Sequence, residues 1–454
     1  MSKETLYIEE NRSAPMDTVQ QAVDKLKGKG GVVHICEGLH YSGPVTLSSG
    51  VHLYLEKQAE LRFVDDFSLY PSVYTRWEGI GCFALQSLIF AENASDITIS
   101  GEGTLNGLGR KWWDAYKGIR DGNISPEAEE VRDRLLPLNV DVKGGSGGGG
   151  RETGFLRPSL IQFKNCSNIS ITGVTVENSP FWNTHILCCD TVIIRNVQFR
   201  NPTDAPNTDG LDIDSSENVL VEYCRFDVGD DCLCLKAGMD VREGKENGET
   251  SDIRIRNCSM NNGHGAVVFG SETSGGIRNV DISDCTMNGT DRGIRVKTRR
   301  GRGGFVEDIT IRNIRMEHVA APLVFNMYYR CGAEANEIPV LADRKARSFD
   351  QNTTPLIRNI LIEDVTASDI SSSAAFFSGL PESPISGVKI RNCRVSAQKG
   401  CSWSEPAMDF SRTSPRGPEL LSTHITNSDL TGITINNESG NTAPERFIQE
   451  EKEC

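Results

Sequence analysis

The 454-residue chain lacks any long apolar run: no stretch approaches the roughly 20 residues that a membrane span needs. Its N-terminus, MSKETLYIEENRSAP, lacks the apolar segment of a signal peptide. That predicts a cytoplasmic chain, or a periplasmic or secreted one whose leader has been removed. An excess of positive charge is also missing. Lys and Arg number 48 against 62 Asp and Glu, a net charge of −14, which argues against nucleic acid or a membrane surface as general partners. Although there are 14 cysteines, no CxxC pair and no zinc-ligand spacing occurs. Many cysteines follow Asn or Asp, as in KNC, RNC and SDC. They read as small buried residues with free thiols, with disulfides an open alternative for some.

What the chain has is a repeat. A polar residue, Asn or Asp, and alternating aliphatics recur in SNISITGVTV, DTVIIRNVQF, ENVLVEYCRF, SDIRIRNCSM, RNVDISDCTM, EDITIRNIRM, RNILIEDVTA and SGVKIRNCRV. SDITISGEGTL is an earlier relative. The first aliphatics are Ile169, Val192, Val219, Ile253, Val280, Ile309, Ile360 and Val388, spaced by 23, 27, 34, 27, 29, 51 and 28 residues. The 51-residue step holds an insertion. Short β-branched strands at such a period, with no helix between them and no LxxLxLxxN signature, predict an all-β parallel β-helix. Asn and Asp suit its bends, because they tolerate unusual backbone angles.

A solenoid needs covered ends. In MDTVQQAVDKLKGKGG, Val19, Ala22, Val23 and Leu26 fall on one helical face, with Asp17 able to cap it and Gly28, Gly30 and Gly31 to stop it. VVHIC and VHLYLE would follow as the first coils. The expected layout is a single β-helix domain over 1–454, with a cap over about 1–35 and an irregular or weakly helical tail over about 431–454. Insertions are expected at about 110–156, containing a short helix SPEAEEVRDRLL and the flexible GGSGGGG, and at about 328–355.

Aligning coils stacks DGLDID (209–214), DCLCLK (231–236), HGAVVFG (264–270) and RGIRVKT (292–298). The inward parity is then Leu211 and Ile213, Leu233 and Leu235, Ala266 and Val268, Ile294 and Val296. The opposite parity, Asp212, Asp214, Cys234, Lys236, Arg295 and Lys297, is expected to form one outer surface. At its edge Asp209, Asp230, Asp231 and His264 should converge. Beside them runs a cationic stretch, Arg292, Arg295, Lys297, Arg299, Arg300 and Arg302, suited to an anionic ligand and above all to a carboxylate. Each residue alone has an ordinary explanation: a turn Asp, a solvated strand face, an incidental His. Their joint alignment is what points to a site, since like charges stacked this closely repel. Three neighbouring carboxylates suit glycoside hydrolysis, in which one stays protonated for the leaving oxygen and others activate water.

These residues resemble the family 28 glycoside hydrolases, the polygalacturonases of pectin breakdown. NTDG (207–210), GDD (229–231), GHG (263–265) and RVK (295–297) occur in the family's order. The resemblance implies a right-handed, pectin lyase-like β-helix and inverting hydrolysis of α-1,4-galacturonosyl linkages. It implies Asp230 as general acid, Asp209 and Asp231 as the water-activating pair, and His264 as the group that assists protonation of the acid. Arg295 and Lys297 would hold the substrate carboxylate, Asn207 would support the acids, and Tyr328, in preference to Tyr329, would contact sugar. No metal or other cofactor is implied, and the partner is a galacturonate-containing oligo- or polysaccharide. The two insertions favour exo action on short chains, with an endo-polygalacturonase or rhamnogalacturonan hydrolase as the alternative. From other classes, a calcium-dependent pectate lyase using Asp209, Asp212 and Asp214 and a non-catalytic sugar-binding β-helix remain open. Oligomeric state is not indicated.

Overall fold

The computed structural model describes residues 4–10, 16–142, 148–239, 248–398, 408–409 and 420–436. They fall into two compact units, Met1–Asp230 and Asp231–Cys454. Each is a stack of parallel β coils. In the first unit, strands Thr5–Ile8, Gly31–Ile35, Val51–Leu55, Ser95–Gly101, Ser167–Thr172, Asp190–Arg195 and Glu217–Glu222 pair in that order. A second ladder pairs Val45–Thr46, Ile89–Glu92, Ile161–Lys164, Thr184–Leu187 and Leu211–Asp214. In the second unit, Thr250–Arg256, Ile277–Asn288, Phe305–Glu317, Leu356–Ile370 and Ile385–Arg391 stack likewise. Its other ladder runs Leu233–Lys236, Val267–Gly270, Arg292–Lys297, Ala321–Asn326, Ala375–Ser378 and Leu420–Thr423.

The repeat phrase sets the register. Ile169 lies opposite Val192, and Val192 opposite Val219. In the second unit Ile253, Val280, Ile309, Ile360 and Val388 follow one another, so the 51-residue step closes in register. All of these side chains are buried. The bends are made as expected: Asn168, Asn196, Asn218, Asp252, Asn279, Asp308, Asn359 and Asp364 all take left-handed backbone angles. Several also bond coil to coil, as Asn218 Nδ2 does to Asp190 Oδ1 at 2.7 Å.

The helix Thr18–Leu26 buries Val19, Ala22, Val23 and Leu26 as its pattern requires. Asp17 does not cap it; its Oδ2 accepts instead from Gln21 Nε2 at 2.7 Å. The strand Thr5–Ile8 precedes the helix and pairs with Val32–Ile35, so VVHIC is not the outermost strand. The 110–156 insertion is more ordered than its composition suggested. Besides Pro126–Leu135, capped by Ser125, it forms the helix Arg110–Arg120 with Trp112, Trp113 and Tyr116 buried. Trp112 lies 4.1 Å from the Phe67 ring and edge-on to Tyr70. The charged ends of RKWWDAYKGIR obscure this aromatic face in the sequence. Within GGSGGGG, residues 144–147 lie outside the described residues. The tail is not irregular throughout, for Ile433–Asn436 adds a strand to Cys393–Ala397, while 437–454 lie outside the described residues. The twelve described cysteines are free thiols, mostly buried. Among the described residues no helix is long and apolar enough to cross a membrane.

The left-handed bends generate a prediction. Asn196 is exposed at φ +54°. Asn196→Val should cost about 1–2 kcal/mol in urea unfolding, because a β-branched residue fits that conformation poorly. Asn196→Gly should be close to neutral. Equal losses in both variants would show that the side chain, and not the backbone angle, matters at this bend.

Candidate active site

In the first unit, NTDG is a bend held from several sides. Asn207 takes φ +55°, Thr208 Oγ1 donates to Ala205 O at 3.0 Å, and the Asp209 carbonyl accepts from Asn183 N at 2.8 Å. Asp209 is buried and Asp230 half-buried. Gly229 precedes Asp230 for a steric reason: a Cβ there would lie 2.5 Å from Ala205 O and 2.6 Å from Pro202 O.

Sequence inspection missed Arg157, which is fully buried behind this bend. Its Nη2 donates to Asn207 Oδ1 at 2.8 Å, and its Nη1 to the carbonyls of Pro206 at 2.8 Å and Pro180 at 3.0 Å. It lies over the Tyr116 ring at 4.0 Å. Burial pulls the guanidinium down to about 10, against the opposing influence of Tyr116, Glu78, Asp230 and Asp209. A lone arginine in the apolar stretch FLRPSL was its only signal.

Asp212 and Asp214 were expected on an open outer surface, but both are fully buried. They point away from the core, as their parity requires. The β-hairpin Ser72–Trp77 and Ile80–Leu85 supplies the cover through Arg76, whose Nη1 donates to Asp214 Oδ1 at 2.6 Å and to Ser215 Oγ at 2.7 Å. Gln162 Nε2 donates to His185 Nδ1 at 2.8 Å, leaving His185 Nε2 to face Asp214 Oδ2 at 3.4 Å. Arg76, Gln162 and His185 of this network border a small pocket whose other walls include Trp77, Arg157, Phe181 and Trp182.

In the second unit, Asp231 has the inward parity of its strand, yet its carboxylate meets outward-facing groups. Lys297 Nζ donates to Asp231 Oδ2 at 2.7 Å, the Cys234 thiol donates to the same oxygen at 3.5 Å, and Arg295 Nη1 lies 3.9 Å from Oδ1. The bend therefore turns Asp231 outward. Gly265 makes room for it, since a Cβ there would come within 2.9 Å of Asp231 Oδ1. Burial pushes the Asp231 carboxyl up, but Lys297 and Arg295 outweigh it and hold the group well below the usual carboxylate range. Burial likewise opposes the charge on Lys297, and Asp231 outweighs it, raising the ammonium above its ordinary value. His264 is exposed, close enough to Asp231 to add to its stabilisation.

Two expectations about this unit are corrected. First, Val267 and Phe269 are the residues in line with Leu233 and Leu235, whereas Val268 lines up with Cys234 and Arg295. The inward pair is thus not Ala266 and Val268. The run AVVF is apolar on both parities and gives no phase. Second, the cationic stretch does not form one surface. Arg300 pairs with Glu382 at 2.5 and 2.8 Å and donates to the carbonyls of Val340 at 3.2 Å and Asp343 at 2.5 Å, and Arg299 donates to those of Cys331 and Gly332 at 3.2 Å, so both anchor the 328–355 insertion. Arg302 is buried and contributes, with Lys236, to lowering the Glu272 carboxyl against its burial. Arg292 pairs with Asp291 at 3.1 Å.

That leaves Arg295 and Lys297. The aromatic ring beside them belongs to Tyr329, 5.5 Å from the Arg295 guanidinium and 5.6 Å from Lys297 Nζ. Burial pushes its phenol up to about 12. Tyr328 lies instead under Arg344, at 3.6 Å, and near Arg300. Adjacent tyrosines leave a bend on opposite sides, and the sequence did not say which one turns to the cations.

Within the second unit, then, a buried Arg–Lys pair faces the bend carboxylate of Asp231. The comparisons with known proteins make the assignment specific. The glycosyl hydrolases family 28 sequence profile matches residues 145–408, and the chain belongs to that family. It is therefore a glycoside hydrolase. It is 29% identical over 393 residues to a probable polygalacturonase of Vitis vinifera, covering 85% of this chain and 71% of that protein. It is 27% identical over 361 residues to an endo-polygalacturonase of Pectobacterium carotovorum subsp. carotovorum, covering 76% and 79%. Two solved structures share its right-handed parallel β-helix. An exopolygalacturonase from Thermotoga maritima superposes with a TM-score of 0.73 at 24% identity, covering 96% of this chain and 92% of that one. The family 28 exopolygalacturonase of Yersinia enterocolitica gives 0.77 at 21%, covering 98% and 77%.

The Asp231–Lys297 pair sets a pH dependence. A depressed folded-state pKa contributes stability above the unfolded value near 3.9, and that contribution is lost as pH falls through the folded value. Lys297→Met raises the folded pKa of Asp231. The stability gap between wild type and variant should therefore be widest near neutral pH and narrow as pH falls through the carboxylate range. Urea midpoints at neutral and acidic pH measure it, and a gap independent of pH would contradict the coupling.

Proposed function

We propose that this glycoside hydrolase cleaves α-1,4-galacturonosyl linkages of pectic galacturonides with inversion, acting from a chain end. The observation that carries the substrate class is Arg295. It is only 2% exposed, and its Nε and Nη2 have no hydrogen-bond partner among the described residues. Unpaired buried donors of this kind are costly. A substrate carboxylate satisfies them, because a planar guanidinium binds carboxylate in a fork. Lys297 adds a second positive charge, and Tyr329 a ring face against both. For a substrate with one carboxylate on every sugar, such a subsite supplies recognition that a neutral glycan would not use.

In the proposed chemistry Asp230 gives its proton to the glycosidic oxygen as the C–O bond breaks. Asp209 and Asp231 take a proton from the water that attacks the anomeric carbon on the opposite face, which inverts the configuration. The low pKa of Asp231 suits the ionised partner, and His264 is assigned to maintaining the proton on the acid. Asn207 holds the bend through Arg157. Tyr329 takes the sugar-contacting role first given to Tyr328. The exo reading is drawn from the insertions at 110–156 and 328–355, because segments that wall off a cleft suit a chain end better than a continuous polymer. Both exo- and endo-acting proteins stand among the relatives, and a cytoplasmic placement finds no support in them.

Time-resolved products from polygalacturonate and digalacturonide test this. Monomer alone is the expected result; a ladder of sizes means endo action, and inactivity on both substrates points to rhamnogalacturonan-type chains. Asp230→Asn should lower turnover roughly 10²–10⁴-fold with the fold intact by circular dichroism. Near-wild-type turnover in that variant would remove Asp230 from the mechanism. Lys297→Ala should harm oligogalacturonide cleavage far more than cleavage of a neutral oligosaccharide.

A further inference from the structure

At the N-terminal end of the first unit, His34 and Cys36 share the outward parity of one strand, two residues apart. His34 lies opposite Tyr54, so the register places Glu56 beside Cys36 on the next coil. Donor atoms of His34, Cys36 and Glu56 all lie within 4.8 Å of one another, and all three side chains are partly exposed. A fourth residue, Glu9, reaches in from the preceding coil, with Oε1 3.9 Å from the Cys36 sulfur. The group therefore joins three successive segments of the solenoid.

We propose that His34, Cys36 and Glu56 form a zinc-binding site, with Glu9 placed to complete the coordination. Nitrogen, thiolate sulfur and carboxylate oxygen are the donors zinc takes in four-coordinate sites, and a thiolate disfavours magnesium and calcium. Zinc–ligand distances of about 2.0–2.3 Å imply ligand separations of roughly 3.3–3.8 Å. Side-chain rotation closes the remaining gap.

Three features make the site more than a chance grouping. The His34 ring is held between Tyr7 and Tyr54, each 4.8 Å away centre to centre, which fixes its direction. Glu56 is fixed as well, with Oε1 2.7 Å from His34 Nε2 and Oε2 accepting from Glu37 N at 2.7 Å. Cys36 sits between two carboxylates, with Glu9 Oε1 3.9 Å from its sulfur and Glu56 on the next coil. A divalent cation bound there displaces the thiol proton and offsets both carboxylates. An ordinary His–Glu pair explains His34 and Glu56, but it leaves the placement of Cys36 between Glu9 and Glu56 without a purpose.

The consequence is mechanical. Terminal coils of a solenoid have a neighbour on one side only and fray first. A zinc ion here would tie the outermost strands together, well along the stack from Asp209, and would stabilise the fold without entering the hydrolytic chemistry.

Equilibrium dialysis of the metal-free full chain against Zn(II), with Co(II) as an optical probe, tests the proposal. Wild type should bind one zinc that Cys36→Ser and His34→Gln each weaken at least tenfold. Its Co(II) complex should show thiolate-to-metal charge-transfer absorbance that Cys36→Ser abolishes. Zinc should raise the melting temperature of wild type and leave that of Cys36→Ser unchanged. If the Co(II) band and the zinc stoichiometry survive in Cys36→Ser, or if wild type and both variants bind equally weakly, the site is refuted. Both variants leave the proposed hydrolytic residues untouched, so these results are independent of the assigned activity.

Discussion

In-register parallel pairing is the constraint on which everything else here rests. Side chains alternate across a strand, so a slip of one residue would exchange the buried aliphatics for the charged residues beside them. In the coil that contains Leu211 and Ile213, the alternate positions are Asp212 and Asp214, and a slip would put two carboxylates into the core. Hydrophobic burial of about 25 cal/mol per Å² therefore selects one register at each step. The Asn and Asp bends make that register attainable, because they take left-handed angles where the chain must turn sharply. Once the coils are locked, residues far apart in sequence acquire fixed neighbours, as Asp231 does with Lys297.

The outer face of these strands is not the solvated surface that alternation suggests. Asp214 there is buried beneath a hairpin that is not part of the coils, and this cover brings its own counter-charge, Arg76. In the second unit Arg300 pairs with Glu382, in the turn before the strand Ile385–Arg391. Such buried pairs contribute little net stability but are costly to break, so they fix where the covering segment sits. Arg295 departs from this pattern, retaining buried N–H groups without a partner among the described residues.

Much of the fold was legible because its signals are local and repeated. The spacing of Ile169, Val192, Ile253, Val280, Ile309, Ile360 and Val388 carried the register of both units, even across the 51-residue step. The GDD and RVK motifs were legible as clustered charges. Less visible were features that depend on a single aromatic or cationic residue in an irregular segment. Trp112, Trp113 and Tyr116 dock a helix whose ends are charged, and Arg157 is one arginine in an apolar run. Neither has a period to betray it. The phase of HGAVVFG was lost for the opposite reason: both of its faces are apolar, so alternation carries no information.

The sequence by itself determined a β-helix, the coil register along the repeat phrase, its bend residues and the acids and cations proposed for the hydrolytic site. Those properties follow from alternation and periodicity, which act over a few residues or recur at each coil. Only the tertiary structure decided which cations face Asp231 and which brace an insertion, and whether Tyr328 or Tyr329 turns toward Arg295. It also decided that Asp212 and Asp214 are covered, and that Cys36 stands between Glu9 and Glu56. These are questions of side-chain direction at bends and of what lies over the sheet. They are settled by packing between segments distant in the chain, which no local pattern encodes.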